Sequence, residues 1–193
     1  AAGTMNAYTG EDGTCYYVRV PYECIDSAVD VFMDMFLRSS FRKEDVDRER
    51  DVILEEMKMY EDQPDALAMT VSQNAMFPGH ALGKPIVGNS KSLNAMSAEK
   101  MRAFKSRMYV STRCVFVFAG RIEHGNACRL IEREPKIFSK RTFRSAVGNF
   151  DPSIAPRRLA VVRRRVQQVQ AILAFRSIGI HDSRYHHQRV MDM

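Results

Sequence analysis

The chain has 193 residues, of which 45% are hydrophobic, 27% charged and 9% aromatic. This composition is typical of a globular protein, and it excludes a disordered or collagen-like chain. It also excludes a membrane-spanning chain, because no apolar run approaches the ~18 residues that a bilayer requires. The net charge of +6 is unevenly distributed: residues 1–100 carry 10 Lys and Arg against 17 Asp and Glu, whereas residues 101–193 carry 19 against 6. This asymmetry predicts two different units, or a basic surface on the second half.

The four cysteines lie far apart in the sequence and form no Cys-x-x-Cys pair: Cys15, Cys24, Cys114 and Cys128. Their spacing does not suit a zinc ribbon. Reduced thiols in a reducing compartment are the simplest interpretation, and we expect a cytoplasmic protein.

Hydrophobic patterning predicts the elements in chain order. A strand over residues 15–20 ends at Pro21, and helical spacing of apolar residues follows over 25–38, 43–61, 65–77, about 97–109 and 125–134. Between the last two helices, the run Cys114–Ala119 predicts a fully buried strand. The order of elements predicts an α+β fold, an antiparallel sheet with helices packed on one face.

The end of the chain has a different character. Residues 139–158 are rich in proline, serine and basic side chains, which predicts a linker between a first domain, residues 1–138, and the beginning of a second, residues 159–193. The second part is expected to be strand-rich, with a helix opening over 183–193. Because the chain starts at Ala1 rather than Met and ends without a helix-stop signal, we expect a fragment that lacks residues at both ends.

The second predicted helix carries the candidate chemistry. Its apolar stripe is expected to comprise Val46, Ile53, Met57 and Tyr60. Glu49 and Glu56 are seven residues apart, nearly two helical turns, so both carboxylates project from one face. Such a pair suits a metal ligand with a supporting group, but a solvated charged face gives the same pattern.

Three motifs favour the metal ligand over the solvated face. Asn-Ala-Tyr-Thr begins at Asn6, Arg-Glu-Arg-Asp-Val-Ile-Leu-Glu-Glu spans residues 48–56, and His-Ala-Leu-Gly-Lys-Pro-Ile-Val-Gly spans residues 80–88. In this order and spacing they resemble the pitrilysin family of zinc metallopeptidases, which includes the mitochondrial processing peptidases and their bacterial relatives. The resemblance is specific from residue 1 to about 122 and looser to 193, where the sequence is similar to the start of the family's second, related domain.

The resemblance implies a zinc-dependent endopeptidase that hydrolyses peptides bound as an extended strand. Glu56 matches the family's third Zn²⁺ ligand, and Glu49 matches a supporting glutamate two turns earlier. Asn6, Ala7 and Tyr8 match the sheet edge on which the substrate pairs. The implied partners are a peptide or unfolded protein and a second homologous half or subunit, with no nucleic acid and no membrane.

One departure from the family pattern is decisive for activity. The family's other two zinc ligands and its general base come from a His-x-x-Glu-His motif, which is absent from these 193 residues. By the family's spacing, the motif is expected about twenty residues upstream of Ala1. As it stands, the chain lacks two zinc ligands and the general base, so it is not expected to be active alone.

Two other functions remain open. The chain could belong to a non-catalytic partner or core subunit of the same family, although retention of Glu49 and Glu56 argues against this. The basic second half, with Arg157, Arg158, Arg163, Arg164 and Arg165, could bind nucleic acid, but a solvated linker and a charge-guarded edge strand are the favoured explanation. The cluster of His181, His186 and His187 is expected to be a surface loop, and His80 is expected to pack.

Overall fold

The computed structural model describes residues 3–133, 151, 153–179 and 182–187. The chain divides into two compact units, one made of residues 1–56 and 86–148 and the other of residues 57–85 and 149–193. Most of the predicted linker over 139–158 lies outside the described residues.

A β-hairpin opens the first unit. Strands β1 (Thr4–Thr9) and β2 (Thr14–Arg19) are antiparallel, and Ala7 lies opposite Tyr16. The hairpin closes where the Gly10 amide donates to the Gly13 carbonyl at 2.9 Å. Within the described residues the sheet has these two strands, so the outer edge of β1 is open.

Six α-helices follow the hairpin in the described residues: α1 (Ile25–Leu37), α2 (Lys43–Asp62), α3 (Pro64–Met76), α4 (Ser90–Asn94), α5 (Ala98–Met108) and α6 (His124–Glu132). Five of them were predicted to within a few residues, and together with the antiparallel hairpin they confirm the α+β class. Ser97 caps the start of α5, since its hydroxyl accepts from the Lys100 amide at 3.3 Å.

Helix α4 is the one that the pattern missed. With five residues it is too short to show an apolar period. It forms because Asn89 and Ser92 make a reciprocal capping box, in which each side chain accepts from the other residue's backbone amide at 2.9–3.0 Å.

The core of the first unit lies between α1 and α6. Val29 and Met33 of α1 and Leu130 of α6 are buried together, with Phe116 and Phe118 packed against them. These contacts position the segment that precedes α6 against the inner face of α1.

The segment Cys114–Ala119 differs from the prediction of a fully buried strand. Cys114, Phe116 and Phe118 are half-buried, whereas Val115 and Val117 are 86% and 82% exposed. The segment pairs with no strand in the described part of the chain. An uninterrupted apolar run in a sequence does not show whether one or both faces of the segment are buried. Here the face that carries Val115 and Val117 is exposed to solvent.

The second unit is built on α3 and the segment 153–179, which contains no helix or strand in its described residues. The segment is held to the end of α3 by two bonds to carbonyls: the Arg157 amide donates to Ala75 and the Arg176 guanidinium to Met76, both at 2.8 Å. The predicted strands after residue 159 are not formed in the described residues, because no neighbouring strand pairs with their backbone. The predicted helix over 183–193 is described only as far as residue 187, with helical backbone at 185–187. None of the described helices combines the length and apolarity needed to cross a bilayer.

Candidate functional site

Helix α2 presents the two candidate glutamates from a partly buried helix. Val46 and Met57 of the predicted apolar stripe are buried and Ile53 is half-buried, as expected. Tyr60 is 58% exposed, which contradicts its predicted place in the stripe. It lies in the last turn of the helix, where less of the surface is covered.

Ion pairs fix the beginning of α2. Asp45 accepts from Arg42 at 2.7 Å, and Asp47 accepts from both Lys43 and Arg50. The hydrogen bonds from Lys43 and Arg50 hold the pKa of the Asp47 carboxyl below its usual range. Arg50 also donates to the Met96 carbonyl at 3.0 Å, which ties α2 to the turn before α5. Asp45 and Asp47 thus stabilise the first turns of the helix.

Glu49 and Glu56 are not engaged in this way. Both are exposed, and neither makes a hydrogen bond or ion pair with another described residue. Ideal helix geometry places them about 10 Å apart along the axis and about 20° apart around it. They therefore form one open edge of the helix beside its buried stripe, with carboxylate oxygens available to a ligand.

The donor set for a metal is incomplete within this chain. The described residues contain no group of three His, Cys, Asp or Glu side chains that could hold a metal ion. A catalytic zinc site needs three protein ligands, and Glu56 fits the chemistry of one of them. The residues present therefore fit one ligand of a zinc site and do not form the site by themselves.

The residues predicted to bind substrate lie on the open edge strand. Asn6, Ala7 and Tyr8 form the middle of β1, and all are exposed. The Ala7 amide donates to the Asn6 side-chain oxygen at 2.8 Å, so it points away from β2 toward the free edge. An edge of this kind can pair with an extended peptide through backbone groups alone.

The third motif shapes the loop after α3. His80, which was predicted to pack, is half-buried, and its Nδ1 accepts from the Leu82 amide at 3.2 Å and caps the short 3₁₀ turn Ala81–Gly83. Gly83 is buried, and its carbonyl accepts from the Asn74 side chain at 3.2 Å. The motif therefore has a structural role in the described loop.

The remaining candidates lie at the surface. Arg157, Arg158 and Arg163–Arg165 are exposed, and so is His187. His186 is also exposed, and its ring lies 5.6 Å from that of Tyr185. His181 lies outside the described residues.

Two family models cover almost the whole chain. The model for insulinase, peptidase family M16, matches residues 1–90, and the model for the peptidase M16 inactive domain matches residues 95–193. The second match alone spans more than half of the chain.

The sequence relatives are named as zinc proteases. An uncharacterized zinc protease of Streptomyces coelicolor is 32% identical over 195 residues, covering 94% of this chain and 41% of that protein. The uncharacterized zinc protease YmxG of Bacillus subtilis is 30% identical over 192 residues, covering 99% of this chain and 44% of that protein. The chain thus spans less than half the length of these relatives.

Solved structures agree on the fold. An M16-like peptidase from Alicyclobacillus acidocaldarius matches with a TM-score of 0.62 and 26% identity, over 74% of this chain and 33% of that one. A peptidase M16 inactive domain from Pseudomonas fluorescens matches with a TM-score of 0.70 at 14% identity, over 77% of this chain and 37% of that one, which shows a common fold. Taken with the family models, these matches establish that the chain belongs to the peptidase M16 family.

Proposed function

We propose that this chain supplies one zinc ligand and the substrate-binding edge strand of a zinc metalloendopeptidase. The observation that carries the proposal is the position of Glu49 and Glu56, seven residues apart on one edge of α2. Unlike Asp45 and Asp47, which pair with Arg42, Lys43 and Arg50, these two carboxylates are exposed and make no bond to other described residues. Their place in a motif shared with the family supports a ligand role for Glu56 and a supporting role for Glu49.

Each residue has a definite task in this proposal. Glu56 binds Zn²⁺ through a carboxylate oxygen, together with two histidines of a His-x-x-Glu-His motif that these 193 residues do not contain. Glu49, two turns earlier, would add negative charge beside the ligand set and so support the binding of the cation. The bound metal would activate a water and polarise the peptide carbonyl.

The edge strand β1 holds the substrate. A peptide that pairs with β1 is kept extended, and its backbone is recognised rather than its side chains, so that many sequences bind. Because Ala7 already directs its amide to the free edge, pairing requires only that the Asn6 side chain give up that amide. A second homologous half or subunit would enclose the peptide.

A non-catalytic subunit is the second candidate, favoured by the match of residues 95–193 to the inactive-domain model. In that case Glu49 and Glu56 bind nothing. The exposed arginines of the second half alone do not favour nucleic acid over a solvated surface.

The experiment uses the complete reading frame from which this chain is taken. If it encodes His-x-x-Glu-His about twenty residues before Ala1, we expect the purified protein to hold zinc and to cleave unfolded peptides. Glu56→Gln should lower zinc content and kcat/KM by at least about a hundredfold, and Glu49→Gln by about tenfold or more. Glu44→Gln, on the first turn of the same helix, is the matched control and should match the unaltered protein in both measurements.

The outcomes separate the two candidates. A reading frame without the motif, or a Glu56→Gln protein with unchanged zinc content, overturns the peptidase proposal. The non-catalytic subunit would then be the better account of the chain.

A further inference from the structure

A cavity of about 250 Å³ lies in the first unit between the end of α1 and α5. Its walls include the rings of Phe36, Phe41 and Tyr109 and two cations, Arg102 and Lys105, and none of its lining residues is acidic. A volume of this size suits a small guest rather than a folded peptide segment. It contains neither Glu49, Glu56 nor any residue of β1.

Lys105 is the central cation of this cavity. Its half-buried ammonium donates to the Leu37 carbonyl at 2.9 Å and to the Ser39 hydroxyl at 3.1 Å, and it lies 5.8 Å from the centre of the Phe41 ring. Burial lowers its pKa, and no carboxylate in the described residues forms an ion pair with it. The carbonyl end of α1 offsets part of the charge, but the third N–H of the ammonium has no partner in the described structure.

A strained turn forms one wall. Phe41 has a φ of 43°, a conformation that side-chain-bearing residues rarely adopt. Arg102 stabilises it by donating to the Phe41 carbonyl at 2.8 Å, while its other terminal nitrogen binds Glu99 at 3.2 Å. Strain of this kind persists where the surroundings enforce it, often beside a ligand, and here it sets an aromatic ring against Lys105.

The polar atoms left for a guest are mainly donors. The Tyr109 hydroxyl is bonded to that of Tyr16 at 2.9 Å, and burial raises the pKa of Tyr109, so it stays neutral. The Ser39 hydroxyl donates to the Met35 carbonyl at 2.7 Å. What faces a guest is therefore one ammonium N–H, the edge of a guanidinium and the Ser106 hydroxyl, set among aromatic rings.

We propose that this cavity binds a small carboxylate that carries an aromatic or branched apolar group. The carboxylate would accept from Lys105, and the apolar group would pack between Phe36 and Phe41. Such a guest supplies the negative charge that the lining residues lack, and a charge-assisted hydrogen bond in a half-buried site is the strong kind. Two sources offer this chemistry: a free small acid, and the last residue of a peptide chain.

The test measures binding of phenylacetate to the protein encoded by the complete reading frame, by titration calorimetry. Phenylacetamide, which has the same shape without the charge, should bind at least about tenfold more weakly. Lys105→Met should weaken phenylacetate binding by about tenfold or more. Phe41→Asn, which tolerates the positive φ but removes the ring, should also weaken it. Lys91→Met, an exposed lysine on α4, is the matched control and should leave binding unchanged.

Clear results overturn the proposal. Equal binding of phenylacetate and phenylacetamide, or no binding of either, excludes a carboxylate site; this comparison uses the unaltered chain, so it holds even if a variant fails to fold. Loss of binding in Lys91→Met equal to that in Lys105→Met would show a general charge effect instead. N-acetylphenylalanine separates the two sources: binding as tight as that of phenylacetate indicates a peptide end, and weaker binding indicates a free acid.

Discussion

Gly83 lies so close to the backbone of Phe77, six residues earlier, that there is no room for a side chain. A Cβ added there would lie 2.2 Å from the Phe77 carbonyl oxygen, closer than any real contact. The sequence marks Gly83 as part of a motif, but the reason for glycine appears only once the loop folds back on the end of α3. A close approach of two backbones leaves no trace in hydrophobic patterning.

Gly83→Ala is therefore expected to destabilise the second unit by about 1–3 kcal/mol, because a backbone atom cannot move aside as a flexible side chain can. Gly179→Ala is the control in the same unit: nothing lies within 4 Å of its added Cβ, so the free energy of unfolding should change by less than about 0.5 kcal/mol. Urea unfolding of both variants measures the difference. Equal stability of the two would show that the loop relaxes without cost.

Elements with a clear apolar period were predictable from the sequence, and those that depend on partners were not. The spacing of buried residues predicts helices α1, α2 and α6. Helix α4 instead depends on a capping box, and the burial of segment 114–119 depends on whether one or both of its faces are covered. Of the candidate site, the positions of Glu49 and Glu56 on one helix follow from their spacing. The cavity at Lys105 could not be predicted from the sequence, because it forms between the end of α1 and α5, which are far apart in the chain.

The half-covered segment 114–119 gives a test at the scale of an element. Phe116→Ala should destabilise the first unit by about 2 kcal/mol, because its half-buried ring packs on the core and meets the Phe36 ring edge-on at 6.3 Å. The double variant Val115→Thr and Val117→Thr should be near neutral, since both side chains face solvent. Thermal unfolding measures both. A large loss in the threonine variant would mean that the outer face is covered in solution.

The open edge of β1 gives a second test at this scale. Ala7→Pro removes an amide that points away from β2, so the hairpin should remain folded while an added peptide strand loses a hydrogen bond. In the complete protein we expect KM for peptides to rise by about tenfold. Tyr8→Pro is the contrasting variant, because neighbouring amides alternate in direction and its loss should disrupt the hairpin itself. An unchanged KM in Ala7→Pro would exclude this edge as the peptide-binding strand.

Two properties of the chain favour association in different ways. Residues 1–100 are acidic and residues 101–193 strongly basic, so copies of the chain can attract one another through charge. Large apolar side chains are also exposed, above all in the second unit, where Val169 and Leu173 are 93% and 83% exposed. Exposed apolar side chains favour contact with another surface, and the segment that carries these two forms no paired strand in the described residues.

We expect the apolar surface to dominate, so the chain should self-associate in a way that persists in 1 M NaCl, where charges are screened beyond about 3 Å. Val169→Lys with Leu173→Lys should reduce association and leave the free energy of unfolding within about 0.5 kcal/mol, since both side chains are exposed. Gln168→Lys with Gln170→Lys adds the same charge to exposed positions of the same segment and should change association much less. Sedimentation velocity at low and high salt measures all three proteins. Association that vanishes in 1 M NaCl, or that the two lysine pairs reduce equally, would assign the contact to the opposite charges of the two halves.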